Sequence, residues 1–296
     1  MLPVRRVEVL APLITNVPEG VRAVVVLRPR AWMQNPAARV FIEAIFPAAR
    51  LETFAERVGI ELRDLDELLV AWSDSSTLLI GRGDFDAEEG VERIAARMSA
   101  LESQVDVERS IRRTGLWGGL RVDAMSLDRH TLSMEIGSSR LTGRIVQCRD
   151  RDVGCESALE NASAREAWSL VRDAPMLSFL APEPLGLPLD SDVGQLLAGE
   201  RALAVRVAID EEAVHLEATM RGVFPEDAEG AFRRLLASLA VSDLGAMLGL
   251  SAAMPSYEGM RDEGGMTFAV RLARADLFRA VHLLFAEDIA TVLEHL

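Results

Sequence analysis

Lysine is absent from this chain. It has 296 residues, and all 32 of its basic side chains are arginine. That excludes every chemistry that needs a lysine amine: a phosphate-binding Walker-A lysine, a Schiff-base lysine, a kinase-type strand lysine and a Ser-x-x-Lys nucleophile pair. Excess positive charge is lacking too, because 46 acidic residues bring the net charge to −14. Nucleic-acid binding draws on clustered positive charge, so the composition speaks against it. Aromatic residues are only 5% of the chain, with a single tyrosine, so aliphatic side chains and methionine must fill the core. Cysteine occurs twice, which is too little for a disulfide framework.

Long uninterrupted apolar runs are also missing. The stretch from Leu235 to Met254 is long enough to span a bilayer on length alone. However, Ser242, Asp243, Gly245, Gly249 and Ser251 punctuate it, and it continues an amphipathic helix. It reads as two packed helical pieces, and no transmembrane span is expected. Met1 to Gly20 carries Arg5 and Arg6 but no sufficient apolar core for a signal peptide.

What is present is a mixture of periods 2 and 3.6, which makes the class α+β. Val21 to Leu27 reads as a buried strand, and Ala31 to Phe46 as one helix ended by Pro47. Leu68, Val70 and Trp72 share a strand face, Ser73 to Ser76 turn, and the chain returns through Phe85. Asp86 and Glu89 have capping-box spacing at the start of the next helix. Leu132, Met134 and Ile136 alternate with Thr131, Ser133 and Glu135. Later, Val205, Val207 and Ile209 alternate with Ala204, Arg206 and Ala208, and a second hairpin and helix follow.

The two halves echo each other. Arg82-Gly83-Asp84-Phe85 and Arg221-Gly222-Val223-Phe224 both close a hairpin and open a helix, with acidic residues in the first turn, where the helix dipole favours them. The expectation is two related halves, residues 1–150 and 191–296, joined by a connecting helix and Pro-rich segment over 151–190. Each half is predicted to be an antiparallel sheet with helices on one face, built from repeated strand–strand–helix units.

Cys148 and Cys155 are spaced for a disulfide worth about 2–3 kcal/mol, which implies an oxidising compartment; two unpaired thiols are the alternative. No neighbouring histidine or further cysteine completes a zinc site, and no metal or other cofactor is implied. Arg82-Gly83-Asp84 is formally a cell-adhesion tripeptide, but it sits at a strand–helix junction beside a core phenylalanine. Asn161-Ala162-Ser163 is formally a glycosylation sequon inside a helix. His130 falls at a hairpin turn, and His215 shares the polar face of its strand with Glu217 and Arg221. No Gly-x-Ser-x-Gly elbow or third phosphate-binding glycine is found. Two apolar stretches could receive a protein partner or hydrophobic ligand, or cover a sheet. One is Met176, Leu177, Phe179, Leu180, Leu185 and Leu187; the other is Leu244, Met247, Leu248, Leu250 and Met254.

The run Val24 to Arg30 (VVVLRPR), followed by Gly81 to Asp86 (GRGDFD) opening a helix, resembles a family of uncharacterised bacterial lipoproteins and envelope proteins. The segment Ala202 to Leu239 is similar in style. The resemblance implies export and carries over no functional residue. This sequence departs from that family in lacking a leader and a lipobox cysteine near its start. The expected location is therefore the periplasm or envelope, or the cytoplasm if Met1 is the native start. The expected function is a non-enzymatic envelope or accessory binding protein, a subunit of an assembly or a carrier of a hydrophobic ligand. A hydrolase assembled from dispersed residues is the alternative.

Overall fold

A computed structural model of the chain describes residues 12–45, 48, 51–52, 55–56, 59–107, 110–150, 157–174, 176–183, 199–224, 226–241, 256–262 and 264–273. Its strands are β1 (Ala23–Leu27), β2 (Leu65–Trp72), β3 (Ser76–Gly83), β4 (Ala100–Val107), β5 (Ser110–Trp117) and β6 (Leu120–Asp128). They continue with β7 (Thr131–Gly137), β8 (Leu177–Ala181), β9 (Glu200–Ile209), β10 (Ala213–Gly222), β11 (Ser256–Asp262) and β12 (Gly265–Ala273). The helices are α1 (Pro29–Gln34), α2 (Pro36–Ile45), α3 (Ala87–Ala95), α4 (Leu141–Asp150), α5 (Ala162–Val171) and α6 (Ala228–Ala240).

The expectation of two halves, each with its own sheet and helices on one face, is corrected. The strands form one twelve-stranded sheet in the order β11-β12-β10-β9-β8-β1-β2-β3-β7-β6-β5-β4. Every neighbouring pair is antiparallel. The reason lies in β8, which comes from the segment read as a connection. An unpaired strand edge leaves a row of N–H and C=O groups without partners. β8 satisfies two such edges at once, pairing Leu180 with Val24 of β1 on one side and with Ala204 of β9 on the other. Its sequence suits this central place, since both of its faces are largely apolar.

Helices cover both faces of the sheet. On one face, α4 and α5 pack over Val24, Val26, Leu69, Ala71, Leu78, Ile80, Leu180, Ala202 and Ala204, with Trp168 of α5 6% exposed. On the other, α3 buries Val91 and Ile94 against Val122, Ala124 and Leu132, while α6 sets Ala228 and Ala231 against Met220, Met266 and Phe268. Ala37 and Ala38 of α2 close on Ile209 and Val214. Ser178 of β8 donates to the Val171 carbonyl at 2.6 Å, which fixes the end of α5 over the sheet.

Local chemistry explains the helix boundaries. The predicted single helix from Ala31 is broken in two, because Pro36 lacks the N–H a continuous helix needs. Asn35 then caps α2, its Oδ1 accepting from the N–H groups of Ala37 (3.0 Å) and Ala38 (3.3 Å). Asp86 caps α3 through Glu88 and Glu89 at 3.0 and 3.1 Å. The Glu89 side chain does not complete the box; it pairs with Arg93 at 2.7 Å.

Candidate functional site

The feature that best fits a ligand is an open cleft of about 450 Å³ beside the C-terminal end of α5. α5 ends at Val171 while the sheet continues past it, so on the face that α5 covers the outer part of β9, β10, β12 and β11 has no helix over it among the described residues. The pairing registers place four positions side by side in one row: Arg206, Glu217, Ala269 and Glu258. A second row, two residues along each strand, begins with Ala208, His215 and Arg271. Ala208 and Ala269 leave the floor low, and charged side chains rise around them. Asp173 and Ala174 close the side nearest α5.

The charges on this face are mostly matched. Arg206 meets Glu217 at 2.6 Å across β9 and β10, and Arg271 meets Glu212 at 3.0 Å. His215 Nε2 lies 2.7 Å from Asp210 Oδ2. Asp210 also terminates β9, its Oδ1 accepting from the N–H groups of Glu212 (2.8 Å) and Ala213 (2.7 Å). The hydrogen bond from His215, followed by those from Ala213 and Glu212, holds the Asp210 carboxyl below the ordinary carboxylate range. An ionised Asp210 only accepts, so the proton between the pair sits on His215 Nε2 and leaves Nδ1 as an acceptor in the neutral ring. The Glu258 carboxylate has no hydrogen-bond or ion-pair partner among the described residues.

The residues singled out from the sequence are dispersed. His130 stands apart from the cleft, with Nδ1 3.2 Å from the Phe85 carbonyl. Met176 and Leu180 are core side chains, 2% and 0% exposed, and Leu177 and Phe179 are half-buried on the opposite sheet face. Leu185, Leu187, Leu244, Met247, Leu248, Leu250 and Met254 lie outside the described residues, as do Cys155 and the side chain of Cys148. Gly83 of the Arg-Gly-Asp tripeptide is buried against the Asp64 carbonyl. Asn161 caps α5, accepting from Ser163 N–H at 2.8 Å and donating to the Pro182 carbonyl at 3.2 Å.

Among the described residues two arginines are buried, one of them Arg221, which alternation puts on the polar face of its strand. Arg221 is 7% exposed and meets Glu166 of α5 at 3.3 Å. Arg113 is 6% exposed and held by Asp106 and Glu92, each at 2.5 Å. The cleft itself was only partly legible. Alternation puts His215 and Glu217 on one polar face, but Arg206, Glu258, Arg271 and Asp173 join them only through strand register and the end of α5.

No known family matches the sequence, and no curated protein matches it either. Three crystal forms of the protein TP0453 share the fold. Form III matches with a TM-score of 0.52 at 10% identity, covering 93% of this chain and 99% of that one. Form I gives 0.50 at 10% identity, covering 92% and 97%. Form IV gives 0.51 at 9% identity, covering 91% and 96%. At such identities the likeness concerns architecture alone: this chain carries the fold of TP0453 over nearly its whole length.

Proposed function

We propose that this chain is a non-enzymatic binding or accessory protein of the bacterial envelope, acting as a subunit of a larger assembly or as a carrier. The observation that carries the binding part is the cleft. Its volume of about 450 Å³ lies within the range of small-molecule sites, and polar groups converge on it. Those groups are open to water, with the His215 and Asp210 side chains 46% and 54% exposed. Such a setting favours exchange of a ligand over exclusion of solvent from a reaction. Capacity for an apolar partner has separate support, since Val25, Val70, Leu79 and Phe179 on the other sheet face are half-buried rather than sealed. The envelope location rests on the sequence resemblance.

The test is native mass spectrometry of the protein purified from its own host, with fractionation of the same cells. A bound small molecule or stoichiometric partner, together with recovery in the envelope fraction, is expected. A bare polypeptide recovered from the cytosol overturns the proposal. One observation favours the hydrolase alternative: Asp210 orients His215, as a carboxylate orients a general base. Under that reading His215→Ala abolishes ester or amide hydrolysis by the purified protein; under the binding reading, wild type and variant are equally inactive.

A further inference from the structure

We infer that the cleft recognises a small zwitterion, a molecule carrying an ammonium group and an oxyanion on a short flexible chain. This rests on the binding function proposed above and names its ligand class. Around Ala269 the sheet presents opposite charges at fixed places. Glu258 is directly across from Ala269 on β11, and Arg271 is two residues along β12 on the same face. Sheet geometry sets these offsets at about 4.8 Å across the strands and about 7 Å along them.

Both groups retain bonding capacity. The Glu258 carboxylate is without a partner among the described residues, so its oxygens can accept from an ammonium. Arg271 donates from Nη2 to Glu212. A guanidinium has five N–H donors in a planar fork, so the others can take an oxyanion. Glu258 and Arg271 are near each other, yet Arg271 is turned to Glu212 on the β9–β10 turn. That arrangement keeps the two charges from cancelling and leaves the alanine between them clear. Glu217, anchored by Arg206, supplies negative charge on the other side of Ala269. A ligand of a single sign meets attraction at one end of this site and repulsion at the other. A zwitterion satisfies both.

Isothermal titration calorimetry of the full chain at low salt tests this, with four probes. Phosphoethanolamine and glycylglycine are the zwitterions, and they separate a phosphate from a carboxylate as the oxyanion. Ethylamine and inorganic phosphate each carry charge of one sign only. At least one zwitterion is expected to bind with Kd below about 1 mM, and about tenfold tighter than either probe of a single sign. Glu258→Gln and Arg271→Gln, both at exposed positions, are each expected to weaken it about tenfold with an unchanged circular dichroism spectrum. Equal affinity for ethylamine or phosphate overturns the zwitterion assignment, as does zwitterion binding that survives both substitutions. No heat from any probe overturns it too. The proposed binding function stands in each case if the host-purified protein still carries a ligand or partner.

Discussion

At the scale of single residues, arginine takes on tasks that lysine's point charge would perform poorly. Arg28 sends two guanidinium nitrogens to the carbonyls of Ala174 and Arg172, closing the C-terminal end of α5, where the helix dipole favours a cation. Arg30 bridges the carbonyls of Arg63 and Asp64, both at 3.0 Å, and Arg165 bridges those of Leu159 and Glu160, both at 3.1 Å. A planar fork reaches two acceptors at once, whereas an ammonium offers no such fixed geometry. Asp210 is the residue with a pH consequence. Its folded-state ionisation lies below the unfolded value, so its contribution to stability is present above that value and is lost as pH falls through the folded one. Carboxyl-carbon NMR is expected to place the Asp210 midpoint below the ordinary 3.8 in the native chain and nearer to it in His215→Ala. A wild-type midpoint at or above the ordinary value would refute the described contact.

At the scale of elements, two glycines are required by close backbone approach. A Cβ on Gly83 would stand 1.9 Å from the Asp64 carbonyl oxygen, and one on Gly222 would stand 2.0 Å from that of Gly199. Each lets a strand end pass tightly against the preceding chain before α3 or α6 begins. Gly83→Ala and Gly222→Ala are each expected to lower stability by at least about 2 kcal/mol, because the obstruction is backbone and cannot rotate away. Gly118, with φ of 58° and open space around it, provides the contrast. Gly118→Asn is expected within about 0.5 kcal/mol of wild type, since asparagine tolerates that region in a hairpin turn. Urea denaturation of the three variants measures the difference. The echo of Arg-Gly-x-Phe in the sequence pointed to these junctions, because a strand end, a tight turn and a helix start are local events. The same local character made the cap at Asp86 accessible from spacing, whereas Asn161, read as lying inside a helix, is the residue that starts α5.

At the scale of the whole molecule, β8 is the decisive element. It is short, and Leu180 within it is 0% exposed and is paired with β1 on one side and β9 on the other. Leu180→Ala is expected to cost about 2–5 kcal/mol. In scanning calorimetry the sheet is expected to melt in one cooperative transition, which this variant shifts as a unit. Two resolved transitions, with only one moved, would speak for independently folding halves. Periodicity, the cap at Asp86 and the lysine-free chemistry follow from the sequence by itself, because they depend on neighbours within a few residues; the break at Pro36 is as local, but the sequence reading ran one helix through it. The single sheet, the burial of Arg113 and Arg221, and the meeting of Arg206, Glu217, Glu258 and Arg271 were decided by tertiary structure alone. Alternation specifies which residues share a strand face, but register and strand order come from satisfying every buried backbone group over the whole chain.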